Sequence, residues 1–80
     1  MPVFEFPISN STSKIVTFCL EPWGGNYKVP PQGTLRIVIE SPSWPVLEWE
    51  FAEDIHAQIV HAPVGVVATV YDRETLVRAE

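Results

Sequence analysis

Thr34-Leu35-Arg36-Ile37-Val38-Ile39-Glu40 puts Leu35, Ile37 and Ile39 on one side of the chain and Arg36, Val38 and Glu40 on the other. A period of two belongs to extended backbone, whose successive side chains point to opposite faces, so this stretch is a strand with one face turned to a core. Turn sequence bounds it on both sides. Pro30-Pro31-Gln32-Gly33 precedes it, with Pro31 and Gly33 at the second and fourth positions favoured in a type I turn. Ser41-Pro42-Ser43-Trp44-Pro45 follows it, and its prolines remove donors and fix an irregular loop.

Upstream, Phe4, Phe6 and Ile8 repeat the same period, and Pro7 among them cannot donate to a ladder, which marks an edge strand. Asn10 to Ser13 is a polar connection. Lys14 to Leu20 is dominated by β-branched and aromatic residues and reads as a strand with Val16, Phe18 and Leu20 inside and Lys14, Thr17 and Cys19 outside or at a second contact. Trp23-Gly24-Gly25-Asn26 predicts a tight hairpin turn that returns through Tyr27-Lys28-Val29.

Downstream, Val46 to Phe51 and Ile55 to His61 form a second hairpin. Pairing Glu50 with Gln58 and Trp49 with Ile59 collects Leu47, Trp49, Phe51, Ile55, Ala57 and Ile59 on one face and leaves Glu48 and Glu50 in water. That register needs a loop with an odd number of residues centred near Asp54. Ala62-Pro63-Val64-Gly65 is a further turn, and Val66 to Tyr71 is a continuous apolar run expected mid-sheet with both faces covered. Asp72-Arg73-Glu74 is the last turn; Thr75 to Glu80 is an edge strand or a frayed helical turn, the strand being favoured by its neighbour. The expected fold is all-β, a small antiparallel Greek-key sandwich or barrel of seven to eight short strands, with residues 1–80 as one domain. Its predicted core is Leu35, Ile37, Ile39, Leu47, Trp49, Phe51, Ile59, Val67 and Val70.

Composition narrows the function. The 80 residues carry 10 acidic and 5 basic groups, a formal net charge of −5, scattered singly. Such a chain has no positive footprint for phosphates, so neither nucleic acid nor an anionic membrane surface is an expected partner. No apolar run approaches the roughly 18 residues that span a bilayer. Cys19 is the single cysteine, which excludes an internal disulfide and a thiolate metal cluster within one chain. The opening residues lack the basic start and long apolar stretch of a secretory signal, so a reducing, cytoplasmic location is expected. Asn10-Ser11-Thr12 matches a glycosylation sequon but then reads as a polar turn.

The residues that could carry chemistry each have a plainer reading. His56 and His61 are an odd number of positions apart on one strand and point to opposite faces, so they cannot share a metal without a third element rearranging them. No cofactor or metal is expected. Glu48 and Glu50 stand roughly 6 to 7 Å apart along a strand, a spacing that overlaps glycosidase carboxylate pairs, yet alternating glutamates are also how an outer face stays hydrated. Cys19 in an apolar strand reads as an inert core thiol, and no serine sits in a nucleophile-elbow pattern. Trp23 and Trp44 fall in Gly- and Pro-rich connections, where a tryptophan either anchors a partner or folds back to cap a small core.

Leu20-Glu21-Pro22-Trp23-Gly24, with Tyr27, Pro30-Pro31 and Gly33 after it, resembles a segment of small bacterial proteins of similar length. That resemblance covers about 15 residues and implies no activity. The strand, Pro-Gly turn and branched strand are also similar in layout to parts of cupredoxin-like sandwiches and cupins. Their metal ligands have no counterparts at matching positions, so this likeness implies only a Greek-key β fold.

The leading expectation is a non-enzymatic protein-interaction or structural β domain, with Trp23, Trp44, Tyr27 and His56 as candidate binding residues. The alternative is a small-ligand or metal-binding β domain using His56 or His61 with a nearby carboxylate. An enzyme would need a site assembled across subunits. A homodimer is also expected, formed through the Phe4 and Phe6 edge or through Val38, Val60 and Val66, which the predicted pattern turns away from the core.

Overall fold

A computed structural model describes residues 2–52 and 57–80. It contains the strands β1 (Val3–Ser9), β2 (Val16–Glu21), β3 (Gly25–Val29), β4 (Thr34–Glu40), β5 (Glu48–Ala52), β6 (Ala57–His61), β7 (Val67–Asp72) and β8 (Thr75–Val77). They form two four-stranded sheets, ordered β1-β4-β7-β8 and β3-β2-β6-β5, and no helix occurs among the described residues. The all-β sandwich-like layout expected from the turn spacing is the one observed.

β4 holds the first sheet. It pairs antiparallel with β1 through Ile37 opposite Phe6 and with β7 through Ile37 opposite Val70. Leu35, Ile37 and Ile39 are buried as their alternation requires, and Ile8 and Val70 join them. Phe18, Leu20, Val29 and Val60 supply the facing half of the core from the second sheet. Val66, just before β7, and Ala68 and Val70 on it form its inward side, so Val67 lies opposite Glu40 on the outer face and is more than half exposed. The expectation that both faces of this run are covered is corrected on that point: β7 is flanked by β4 and β8 within its sheet, but only one of its faces meets the other sheet.

The second sheet departs from purely antiparallel pairing. β2 and β6 run parallel, with Phe18 beside Gln58 and Leu20 beside Val60. This places Val60 in the core with no exposed surface and turns Ile59 and His61 to the outer face beside Cys19 and Glu21. The β5–β6 register follows: Trp49 is opposite Val60, Glu50 opposite Ile59 and Ala52 opposite Ala57. It is one residue away from the expected register, and the physical reason is that β6 takes its facing from β2 rather than from β5. The slip does not bury the glutamates, because β5 keeps Glu48 and Glu50 outward and only β6 is reversed. Trp49 and Phe51 share the inner side with Val60 but lie on the outermost strand, 47% and 66% exposed, so neither is core. Leu47 packs only partly against the core, and Ile59 is outside it. The expected turn around Asp54, and Ile55 beside it, lie outside the described residues.

Polar groups close the junction between the sheets. Asn10 is 4% exposed, and its Nδ2 donates to the carbonyls of Lys14 at 2.7 Å, Val29 at 3.0 Å and Pro30 at 3.2 Å. Its Oδ1 accepts from the Thr12 hydroxyl and backbone N–H, and its own N–H donates to Gly33 O. The polar turn read from the sequon is therefore a buried tie between β1, β3 and the start of β4. The turn that follows β3 carries the expected bond from Gly33 N–H to Pro30 O, but Gln32 has φ +59°, which is the left-handed third residue of a type II turn rather than type I. Gln32 Nε2 donates to the Ser11 and Thr12 carbonyls, which offsets that strain.

The paired glycines of the β2–β3 turn divide their work. Gly24 supplies the positive φ of +74°, while Gly25 already belongs to β3, and a Cβ there would stand 2.8 Å from that of Ala79. This close approach lets the tail after β8 lie along β3, where Glu80 N–H donates to Asn26 O and Lys28 meets the Glu80 carboxylate.

Replacing Asn10 with alanine leaves the buried Val29 carbonyl without this donor and breaks the part-buried bonds to Lys14 O and Pro30 O, a loss of about 1 to 3 kcal/mol for each group left unpaired. Thermal unfolding followed by circular dichroism is expected to show the Asn10→Ala midpoint lowered by about 10 °C or more, given about 4 to 8 °C per kcal/mol in a domain of this size. Asn10→Asp, which aims a carboxylate at carbonyl oxygens, is expected to lose at least as much; an unchanged midpoint for either variant contradicts the tie.

Candidate functional site

Among the four strands that end the sheets, β5 is the one with a free edge and large apolar side chains together. β3 is covered by the C-terminal tail, β8 has three residues, and β1 carries Pro7, which has no N–H to offer. β5 runs Glu48-Trp49-Glu50-Phe51-Ala52 without proline or glycine, and among the described residues no backbone bond satisfies its outer edge. Its two faces differ in kind. One shows Trp49 and Phe51, roughly 7 Å apart along the strand, and the other shows Glu48 and Glu50.

The glutamate face is organised around His61. Glu48 lies directly across from it on β5, Glu21 is level with it on β2, and Glu50 sits one diagonal away with Oε1 at 2.9 Å from His61 Nε2. The pair is exposed and contributes about 0 to 1 kcal/mol. Among the described residues no three or more His, Cys, Asp or Glu side chains come together in a geometry that holds a metal ion.

Beyond the start of β5, the β4–β5 and β6–β7 loops enclose an open cleft of about 570 Å³, lined in part by Trp44, Pro45, Val46, Glu48, His61 and Pro63. Ser41 shapes its floor. Its N–H donates to Pro2 O and its buried hydroxyl to Ser43 O, which curls the loop back toward β1. Trp44 then packs edge-on against Phe4, with ring centres 5.0 Å apart, and against Phe6 at 5.9 Å, while two-thirds of its surface stays open. It is both a cap and an exposed surface.

The other candidate residues fall elsewhere. Tyr27 lies directly across from Phe18 on β3 and stacks on it, with ring centres 5.2 Å apart, so its ring faces the core. Trp23 sits half exposed in the β2–β3 turn after a cis Glu21–Pro22 bond and has no ring partner among the described residues. His56 lies outside the described residues. Cys19 is on the outer face, not in the core, with its Sγ 2.7 Å from Asn26 Oδ1. Of the residues proposed to build a dimer, Val60 is core and Val66 packs against the core, against the expected pattern, whereas Val38 lies on the outer face of β4 as expected and Phe4 and Phe6, on the edge strand β1, face inward beneath Trp44. The patch that sequence reasoning missed is Trp49 with Phe51. Alternation identified their face, but alternation does not say whether anything lies over it.

No protein family, curated protein or solved structure matches this chain. No helix among the described residues is long and apolar enough to cross a membrane.

Burial raises the Tyr27 hydroxyl pKa above its ordinary value of 10.0. The neutral phenol is thus favoured in the folded chain, and the unfolded chain releases this proton first as pH climbs through 10. The stabilisation is complete below pH 10 and is lost as pH rises through the higher folded-state value. Urea unfolding at pH 8 and again above pH 10 is expected to show a fall in stability that Tyr27→Phe reduces; an equal fall in the variant contradicts this assignment.

Proposed function

We propose that this protein is a non-enzymatic interaction domain whose binding surface is the free edge of β5 with Trp49 and Phe51. The observation that supports the reading is the combination of an unpaired strand edge and two large aromatic residues exposed on it. Aromatic side chains bury large areas at small entropic cost and dominate the energetics of interfaces. A sheet edge left open to water is otherwise a liability, since it templates unwanted pairing. Here the strand has no proline, and among the described residues no backbone hydrogen bond covers its outer edge. Trp44 and Val46, also largely exposed, continue the apolar surface past the start of the strand. The glutamates on the opposite face keep the edge hydrated when it is free.

Because Trp49 and Phe51 lie outside the core, the double variant Trp49→Glu/Phe51→Glu is expected to keep the far-ultraviolet spectrum and the unfolding midpoint within about 2 °C, the range of ordinary surface substitutions. Affinity purification of the wild-type chain from its own cells, compared by mass spectrometry with the double variant, is expected to yield a specific partner that the variant loses. Retention of every partner by a folded variant refutes this surface as the binding site.

A further inference from the structure

We infer that the occupant of the β5 edge is an extended segment of another protein in which basic and apolar residues alternate, added to the second sheet as a fifth strand. The inference rests on the interaction-domain reading and adds the chemistry of the partner. Strand addition satisfies the open backbone groups of β5 whatever the partner's side chains, and the side chains then decide which segment is accepted.

A residue directly opposite another in a strand pair lies on the same face of the sheet. Residues opposite Trp49 and Phe51 therefore meet two aromatic rings, and residues opposite Glu48 and Glu50 meet two carboxylates. Glu21 lies on the same outer face, and the whole chain carries a net charge of −5, so the field along that face favours lysine or arginine. An apolar residue alternating with a basic one matches both faces of β5 at once. A segment that runs past Glu48 enters the cleft where Trp44, Val46 and Pro63 offer further apolar surface.

The same charges disfavour two registers in which a second copy of this chain would pair with β5. Antiparallel pairing of two β5 strands with Trp49 opposite Phe51 sets Glu50 against Glu50, and pairing with Trp49 opposite Trp49 sets Glu48 against Glu50. Like charges directly opposite each other destabilise a strand pair. The other edges are also poorer sites. β3 already bonds the Glu80 backbone, and Lys28 on β3 holds the Glu80 carboxylate.

The test uses the full chain labelled with nitrogen-15 and two short synthetic peptides, one alternating lysine with valine and one alternating glutamate with valine. The lysine peptide is expected to shift the amide signals of Glu48 to Ala52 and the indole signal of Trp44, while the glutamate peptide leaves the spectrum unchanged. In the Glu48→Lys/Glu50→Lys variant, whose substituted side chains are exposed and whose circular dichroism is expected to match wild type, the lysine peptide should bind about tenfold or more weakly and the glutamate peptide should gain affinity, as loss of paired opposite charges requires. Absence of binding, shifts confined to another edge, or binding insensitive to the charge reversal overturns the inference. Light scattering separates the two levels of the reading. A mass of twice the 9.0 kDa of one chain that reverts to one chain in Trp49→Glu/Phe51→Glu overturns the peptide occupant in favour of a second copy, while leaving β5 as an interaction surface.

Discussion

The parallel pairing of β2 with β6 decides the second sheet. Leu20 and Phe18 are buried on β2, and the residues level with them on β6 must share their face. Val60 therefore points inward and Ile59 outward, although both are β-branched and either could fill a core. β5, as the last strand, then pairs with β6 in whatever register β6 permits. Trp49 against Val60 and the contact between His61 and Glu50 both follow from that one alignment.

Edges and loops show a consistent division. Where the two sheets meet near the ends of β1 and β3, Asn10, Thr12, Gln32 and the backbone around them hydrogen-bond to one another. On the outer face of the first sheet Arg36 does comparable work, joining Glu5, the Arg73 carbonyl and the face of the Tyr71 ring. The tail seals β3 through the space left by Gly25. β5 has no equivalent closure among the described residues. An 80-residue domain gains more than a large one from every apolar side chain it hides, so two aromatics left at an open edge represent surface withheld from folding. That asymmetry, rather than any cluster of reactive groups, is what distinguishes one part of this surface from the rest.

The candidate residues named for chemistry alone were only partly legible. Trp44 sits in an irregular Pro-rich loop, and its position in a loop correctly places it at the surface; its edge-on packing on Phe4 and Phe6 depends on a loop path held by Ser41. Tyr27 is a candidate binding residue in the sequence, and its partner across the hairpin, Phe18, draws its ring toward the core, a contact that depends on the β2–β3 register. Asn10 looked like any polar turn residue. Its burial comes from the convergence of Lys14, Val29 and Pro30, residues that no local pattern connects to it.

What the sequence by itself determined about this protein is the local structure and its first face assignment. Alternation in Phe4 to Ile8 and Leu35 to Ile39, β-branched enrichment in Val16 to Leu20, and Pro or Gly at the breaks specify strands and turns, because these preferences act between near neighbours along the chain. The absence of basic clusters and of further cysteines likewise needs no fold to be read. Only the tertiary structure decided that β6 lies parallel to β2, that Asn10 is buried, and that Trp49 and Phe51 stand exposed on an edge strand. Each of these depends on which strands become neighbours across many residues of sequence, and a period of two is satisfied equally by a central strand with a covered face and by an edge strand whose same face is open to water.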